Sequence, residues 1–336
     1  MNFRSMAKDA AASILYQSRI FDLLRVSLRR GRAVVLMYHR VLPSAVLASD
    51  LIQPGMVVSR DTFQRQAAYL KKKWTVLPLA ELIARLQNGR GIGGCCAITF
   101  DDGWKDTFDH AFPVLGALNL PATVFLATGF VGTDRWFWPE VLAALLRKRP
   151  LDAADRADPV LAECFAEAGS KKMSGDFLET AIQCLRRRSA AERQEVLDRL
   201  AASRGNLPPV QRLSLNWAEA AQMKQSGLIC FGAHTVNHEI LDQLPLPQAE
   251  AEIAASRRDL EQHLGISPML FAYPNGNWNP ALQALVQKHG FAGAVTTRRG
   301  WVDAATDLLA MPRIGLHQDI SRTPFRLAAR IHMKYF

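Results

Sequence analysis

The sequence predicts an α/β protein, a parallel sheet or barrel interrupted by a helical insertion. Three observations carry that expectation. From Arg32 onward, apolar strand-like runs alternate with amphipathic helical segments. Polar residues gather at the ends of those runs, where barrels place their reacting groups. Between Arg135 and Leu215 the alternation stops, and an Ala-, Arg- and Glu-rich stretch shows helical patterning without a strand.

Residues 1–31 read as an amphipathic helical segment. Ile14, Leu15, Ile20, Phe21, Leu24 and Leu28 follow helical spacing, with Arg19, Arg25, Arg29 and Arg30 between them. Such a helix packs on the domain or, as a second reading, lies on an anionic leaflet. It has no long apolar run or small-residue cleavage site, and nothing approaches the roughly 18 apolar residues of a membrane span. The expectation is a cytoplasmic protein, with peripheral contact at the inner membrane face as an alternative.

The domain expected over residues 32–330 opens with the strand AVVLMYH, Ala33 to His39. A helix capped by Asp61 should run through Lys72, and a second, Pro78 to Gly89, is closed by glycine. CCAITF (Cys95 to Phe100) is a strand, KDTFDHAFPVLGALN a helix, and PATVFLAT (Pro121 to Thr128) a strand. After the insertion come a helix at Trp217 to Ser226, the strand Leu228 to His234 and a long helix at Pro247 to Leu264. The strand Pro268 to Pro274, the helix Pro280 to His289 and the strand Ala292 to Thr297 complete the series.

The 336 residues carry a formal charge of +10, but the basic residues are dispersed. Arg29-Arg30-Gly31-Arg32, Lys71-Lys72-Lys73 and Arg186-Arg187-Arg188 are short groups without a nucleic-acid-binding signature beside them. Solvated helix faces explain them first and an anionic surface second; no nucleic-acid partner is expected. Five cysteines at irregular spacings, with no CxxC, imply no disulfide framework and suit a reducing compartment.

The chemistry begins at ITFDDGW, Ile98 to Trp104. Asp101 and Asp102 repel each other at the end of an apolar run, so a cation or a proton belongs between them. His234 and His238, in HTVNH, follow another strand. Two imidazoles and one carboxylate form a facial set that leaves coordination sites open. Each motif alone is weak, but at two strand ends of one α/β domain they support each other. A divalent ion lowers the pKa of bound water from about 15.7 to about 7 and polarises a carbonyl, which suits amide or ester hydrolysis. If Asp102 binds the ion, Asp101 is free to accept a proton, and another group must protonate the leaving amine.

TFDDG, HTVNH and FAYPNG resemble the successive motifs of the polysaccharide deacetylases, carbohydrate esterase family four, also called the chitooligosaccharide-deacetylase homology domain. The resemblance covers roughly Val34 to Leu316 outside the insertion. It implies a distorted (β/α) barrel of seven strands and removal of acetyl groups from N-acetylated sugars. It also implies a divalent metal, zinc foremost, with cobalt, nickel or manganese as alternatives. Asp101 would be the general base, Asp102, His234 and His238 the ligands, and Thr235 a support for the histidine loop.

The third motif departs from the common Arg-Pro-Pro-Tyr-Gly form: Ala272 stands at the arginine and Asn275 at the aromatic. The Asn275 N–H could still stabilise an oxyanion, because that role belongs to the main chain. Arg313, in MPRIGLH, is the substitute expected to orient Asp101; a surface salt bridge is the alternative. Leu316-His317 resembles the family's Leu-x-His, one residue short, making His317 the candidate acid. His39 competes, unless it is a hydrogen-bonded core or rim histidine. His110, His263 and His289 read as structural. Trp104, Tyr273 and Trp278 could stack on sugar rings, with core packing the alternative for Tyr273, and Trp136 and Trp138 could extend that surface.

The expected function is a metal-dependent deacetylase of a polysaccharide or lipid-linked glycan in envelope or exopolysaccharide synthesis. The competing readings are a carbohydrate-binding barrel without turnover, a deacylase of a non-sugar amide, and a basic surface-binding protein. The insertion is either decoration or a lid or acceptor-binding element.

Overall fold

The computed structural model describes residues 30–49, 52–53, 55–147, 158–168, 175–205 and 212–333. The helix expected over residues 1–31 therefore lies outside the described residues, apart from its last two.

The apolar runs become strands β1 (Val34–Tyr38), β2 (Arg40–Leu42), β3 (Val57–Ser59), β4 (Thr75–Val76), β5 (Cys95–Phe100), β6 (Ala122–Leu126), β7 (Ile229–Ala233), β8 (Leu270–Ala272), β9 (Gly293–Arg299) and β10 (Met311–Gly315). Seven of them close a parallel ring in the order β1, β10, β9, β8, β7, β6, β5 and back to β1. The ring is uneven. β7 meets β8 through the single partner pair Ala233 and Phe271, and the pairing of β10 with β9 slips between Met311 and Arg313. Cys96 pairs with Val34 on one side and Val76 on the other, so β4 extends the edge that β6 joins further along. β2 and β3 form a separate parallel pair.

Successive strand residues face opposite ways, and the core divides accordingly. Val35, Ala97, Phe125, Leu270, Val295 and Met311 pack together with Leu79, Leu82 and Ile83 of the helix Leu79–Gln87. They fill the lumen. Leu36, Ile98, Val124, Phe231 and Phe271 face outward and pack with Phe63, Leu115, Ile253, Leu282 and other helix residues.

The expected strands mostly run a residue or two too long, and the expected helix cap is corrected. Ser59, with extended φ/ψ, accepts the Thr62 N–H and starts the helix Arg60–Lys73; Asp61 already lies inside its first turn. The helix expected from Lys105 opens with a π-helical turn, Thr107–Ala111, before Phe112–Leu118. The short strands β2, β3 and β4 have no distinct sequence signal, and β10 is marked only by a late apolar segment.

The insertion forms the helices Trp138–Arg147, Pro159–Ala168, Gly175–Arg186 and Ala190–Arg204 among the described residues. They share a separate core that includes Leu142, Leu145, Cys164, Leu178, Ile182 and Val196. On leaving the insertion the chain returns to the DDGW loop: Lys105 N–H donates to Leu213 at 2.7 Å and Leu215 N–H to Gly103 at 2.8 Å. None of the five cysteines is in a disulfide, and no helix among the described residues is long and apolar enough to cross a membrane.

Gly232 marks a close approach within the barrel. A Cβ there would lie 2.6 Å from the Phe125 ring and 2.8 Å from the Leu270 carbonyl. Gly232→Ala should destabilise the protein by about 1–3 kcal/mol in urea unfolding. Phe125→Leu in the same chain should recover only part of that loss, because the carbonyl contact remains.

Candidate active site

Parallel strands present their carboxyl ends on one side, and the polar residues that follow them converge there. Asp101, after β5, is 2% exposed and lies beside Arg313 of β10, which is wholly buried. Arg313 Nη1 and Nη2 donate to the two Asp101 carboxylate oxygens, each at 2.7 Å. Nη1 also donates to Thr99 Oγ1 at 3.1 Å, and Nε donates to the Thr296 carbonyl at 2.9 Å. Burial opposes ionisation of Asp101, but the Arg313 guanidinium outweighs it and holds the carboxyl below its ordinary range. His39 directly follows β1, with Nε2 3.9 Å from Asp101 Oδ2.

Asp102 points to the histidines. Its Oδ1 is 3.3 Å from His234 Nε2 and 3.2 Å from His238 Nε2. His234 Nδ1 lies 2.7 Å from the Ala272 carbonyl. A carbonyl only accepts, so Nδ1 carries the proton and a neutral ring turns its Nε2 lone pair toward Asp102. Two acceptors facing at that distance call for a cation or a proton between them. Ligand atoms about 2.0–2.1 Å from a shared tetrahedral zinc would be about 3.3 Å apart, so the donor set fits a divalent ion. Trp104 Nε1 holds the other Asp102 oxygen at 2.8 Å, which fixes the carboxylate as outer-shell partners do in metal sites.

Backbone strain concentrates here. Five non-glycine residues have positive φ among those described, and four of them belong to the motifs: Asp102 (74°), Thr235 (63°), His238 (56°) and Asn275 (57°). Such conformations persist where surrounding contacts impose them. For the histidine loop the contact is Glu252 of the helix Leu246–Leu264, a residue the sequence reading missed. Its carboxylate accepts from Val236 N at 2.9 Å, Asn237 N at 2.8 Å and Asn237 Nδ2 at 2.7 Å. The Thr235 hydroxyl is buried with no hydrogen-bond partner among the described residues, so Thr235 does not hold the loop through that group as expected.

Other expectations need correction. Trp104 lines the catalytic cavity but is 1% exposed, packed against Phe137 and the Arg40 guanidinium, so it orients Asp102 and has little ring surface left for a sugar. Tyr273 is core, its hydroxyl donating to the Leu309 carbonyl at 3.0 Å, and Trp278 packs half-buried against the main core. Trp278 does not line the catalytic cavity. Nor does His317, whose Nδ1 lies 3.2 Å from Asp319, whereas His39 and Asn275 do line it.

That cavity, about 310 Å³, has a second wall built by the insertion. Trp138, Glu140, Glu179, Gln183, Arg186 and Arg193 line it. Trp136, expected beside Trp138, lines an adjoining cavity instead. Burial raises the Glu140 carboxyl to about 7 despite a 3.3 Å contact from Arg40 Nη1. Glu179, Gln183 and Arg186 share one face of the helix Gly175–Arg186, and the packing of the insertion brings this face to the catalytic groups.

Removing Arg313 strands a buried carboxylate. Arg313→Ala should cost about 3–5 kcal/mol at neutral pH in urea unfolding. The paired Asp101 stabilises the wild type above its ordinary pKa, and that contribution fades as pH falls through its depressed folded value. In the variant burial raises the Asp101 pKa, so stability instead declines as pH rises, and the gap between the proteins should narrow toward pH about 4. Trp104→Phe should weaken divalent-metal binding about 10- to 100-fold by titration calorimetry, since Asp102 loses its indole partner.

The protein-family model described as polysaccharide deacetylase matches residues 89–171 and 172–294, more than half of the chain. The poly-beta-1,6-N-acetyl-D-glucosamine N-deacetylase of Staphylococcus epidermidis is 29% identical over 136 residues, 38% of this chain and 46% of that protein. The match thus spans about half the length of this curated relative. Among solved structures, IcaB from Ammonifex degensii aligns with a TM-score of 0.59 at 22% identity, covering 90% of this chain and 97% of that one. The Streptococcus pyogenes deacetylase PplD in complex with acetate aligns at 0.58 and 21%, covering 87% and 96%. These likenesses are of fold, and they are to barrels of the (β/α)7 type. The family match spans Asp101, Asp102, His234, His238 and Asn275 on that barrel, and the chain belongs to the polysaccharide deacetylase family.

Proposed function

We propose that the protein hydrolyses acetyl groups from the N-acetylated sugars of a polysaccharide or lipid-linked glycan, in envelope or exopolysaccharide synthesis. One observation carries the reading: a buried carboxylate fixed by arginine stands beside an Asp-His-His set in one cavity. The name of the staphylococcal relative supports an N-acetylglucosamine polymer as substrate. The family is metal-dependent, and zinc is the ion proposed for Asp102, His234 and His238. When bound, the ion polarises the acetamide carbonyl and makes water more acidic.

The chain's own groups do the rest. Asp101 is ionised at neutral pH and accepts the proton of the attacking water. Arg313 holds both carboxylate oxygens, so the base keeps one orientation. Asn275 lines the cavity, and its main-chain N–H donates to the developing oxyanion. His39 protonates the departing amine. Burial lowers its pKa despite the two aspartates, so the ring is neutral at rest. The proton it passes to the amine is the one Asp101 takes from the water, with Asp101 Oδ2 3.9 Å from His39 Nε2. His317 lies off the cavity lining and takes no part in this scheme. Cysteines outside any disulfide support cytoplasmic residence, with peripheral contact at the inner membrane face kept as part of the proposal.

The test is acetate release from β-1,6-linked N-acetylglucosamine oligomers by zinc-loaded protein, together with metal analysis. Chelation should abolish turnover and zinc should restore it. Asp101→Asn and His39→Ala should each lower kcat about 10²- to 10⁴-fold with metal retained, while His317→Ala should stay within about threefold of wild type. No acetate from any acetylated glycan, or no bound divalent metal, rejects the proposal.

A further inference from the structure

The basic run Arg186-Arg187-Arg188 is divided by the fold. Arg187 pairs with Glu167 and Arg188 with Glu163 of the neighbouring helix, while Arg186 turns to the catalytic cavity. There it is half-buried, and its guanidinium makes a single hydrogen bond among the described residues, to Gln183 Oε1 at 3.4 Å. Most of its five N–H donors are left for another acceptor.

The nearby charges do not supply one. Glu179, on the same helix face, accepts from Gln183 Nε2 at 2.6 Å and Gln53 Nε2 at 3.3 Å; it attracts Arg186 without touching it. Arg193 faces Glu239 at 3.5 Å, Asp101 is held by Arg313, and Glu140 is held by Arg40. Burial keeps the Arg186 guanidinium below its ordinary pKa, as expected for a cation partly stripped of water. A partly desolvated arginine with open donors, across a cavity from the reacting groups, matches the forked geometry of an oxyanion.

We infer that Arg186 is a specificity residue that receives an anionic oxygen group of the glycan, a carboxylate or a phosphate, on the sugar being deacetylated or on its neighbour. The inference rests on the cavity being a glycan deacetylase site, and it narrows that substrate class to acidic glycans. A uronic acid would bring the carboxylate; a sugar still attached to a lipid diphosphate would bring the phosphate.

The experiment compares kcat/KM on three substrates: a neutral N-acetylglucosamine tetramer, a tetramer alternating N-acetylglucosamine with glucuronate, and N-acetylglucosamine linked through diphosphate to a short alkyl chain. Wild type should prefer one anionic substrate at least tenfold, and which one identifies the source of the charge. Arg186→Gln should lose about 10- to 100-fold on that substrate through KM, with neutral turnover within threefold. Arg186→Lys should recover part of the loss, and Arg187→Gln should show none. Equal losses on neutral and anionic substrates, or no preference in wild type, overturn the inference. Calorimetry with zinc-loaded Asp101→Asn protein separates it from the underlying reading, because binding needs no turnover. Anionic glycan should bind at least tenfold more tightly than neutral glycan, and adding Arg186→Gln should remove the difference. Equal binding overturns the inference even where acetate release is seen.

Discussion

The forked contact between Arg313 and Asp101 is the constraint on which the catalytic end of the barrel depends. The partners are far apart in sequence, on β10 and just after β5, and the ring brings them together because β1 lies between those strands and pairs with both. A buried guanidinium and carboxylate tolerate little misplacement: either left alone would carry an uncompensated charge in the interior. The pair therefore ties barrel closure to the position of the carboxylate. Thr99 of β5 and Thr296 of β9 take further donors of the arginine, so one more strand helps set its angle. The break in pairing between Met311 and Arg313 lies at the same place, which fits a local shift that re-aims a side chain.

With Asp101 fixed, the chain must still turn its neighbour toward the histidines. An extended strand would send Asp102 to the opposite face. The positive φ of Asp102 prevents that, and Trp104 and the returning segment Leu213–Leu215 hold the turned loop. The histidine loop repeats the arrangement, with two residues at positive φ and Glu252 clamping it from outside the lumen. Strain at the site is thus balanced by ordinary hydrogen bonds from elements that do no chemistry.

This division explains what could be read from the sequence. Adjacent carboxylates and an HxxxH at strand ends are local patterns, so Asp101, Asp102, His234 and His238 stood out together, as did most strands of the ring. Arg313 was legible only as a candidate, because nothing local joins it to Asp101. The aromatics misled for a related reason. Trp104 follows the polar turn Asp101-Asp102-Gly103, a setting that suggests exposure, but Phe137 from the start of the insertion and Arg40 from β2 pack against its ring. Neither neighbour is visible in the pattern around Trp104. His317 matches a motif by type and near-spacing, but it is not among the residues lining the cavity, whereas the less motif-like His39 is. Glu252 gave no local signal because a clamp on a distant loop leaves no periodicity.

The insertion extends the argument from chemistry to recognition. The barrel residues at the site are bound by closure, strain and the demands of a metal set, so few can vary without loss of the reacting geometry. The insertion has its own core and meets the cavity with one polar helical face. Residues on that face can change without disturbing the lumen, since their support comes from Leu178, Ile182 and the rest of a separate cluster. One wall can therefore keep a fixed reaction while the other adapts to a particular glycan. The separation is incomplete at Glu140, which belongs to the insertion and is held by Arg40 of β2; the same arginine covers Trp104, which fixes Asp102. Three contacts, Glu140 to Arg40, Arg40 to Trp104 and Trp104 to Asp102, therefore join the insertion to the carboxylate of the Asp-His-His set.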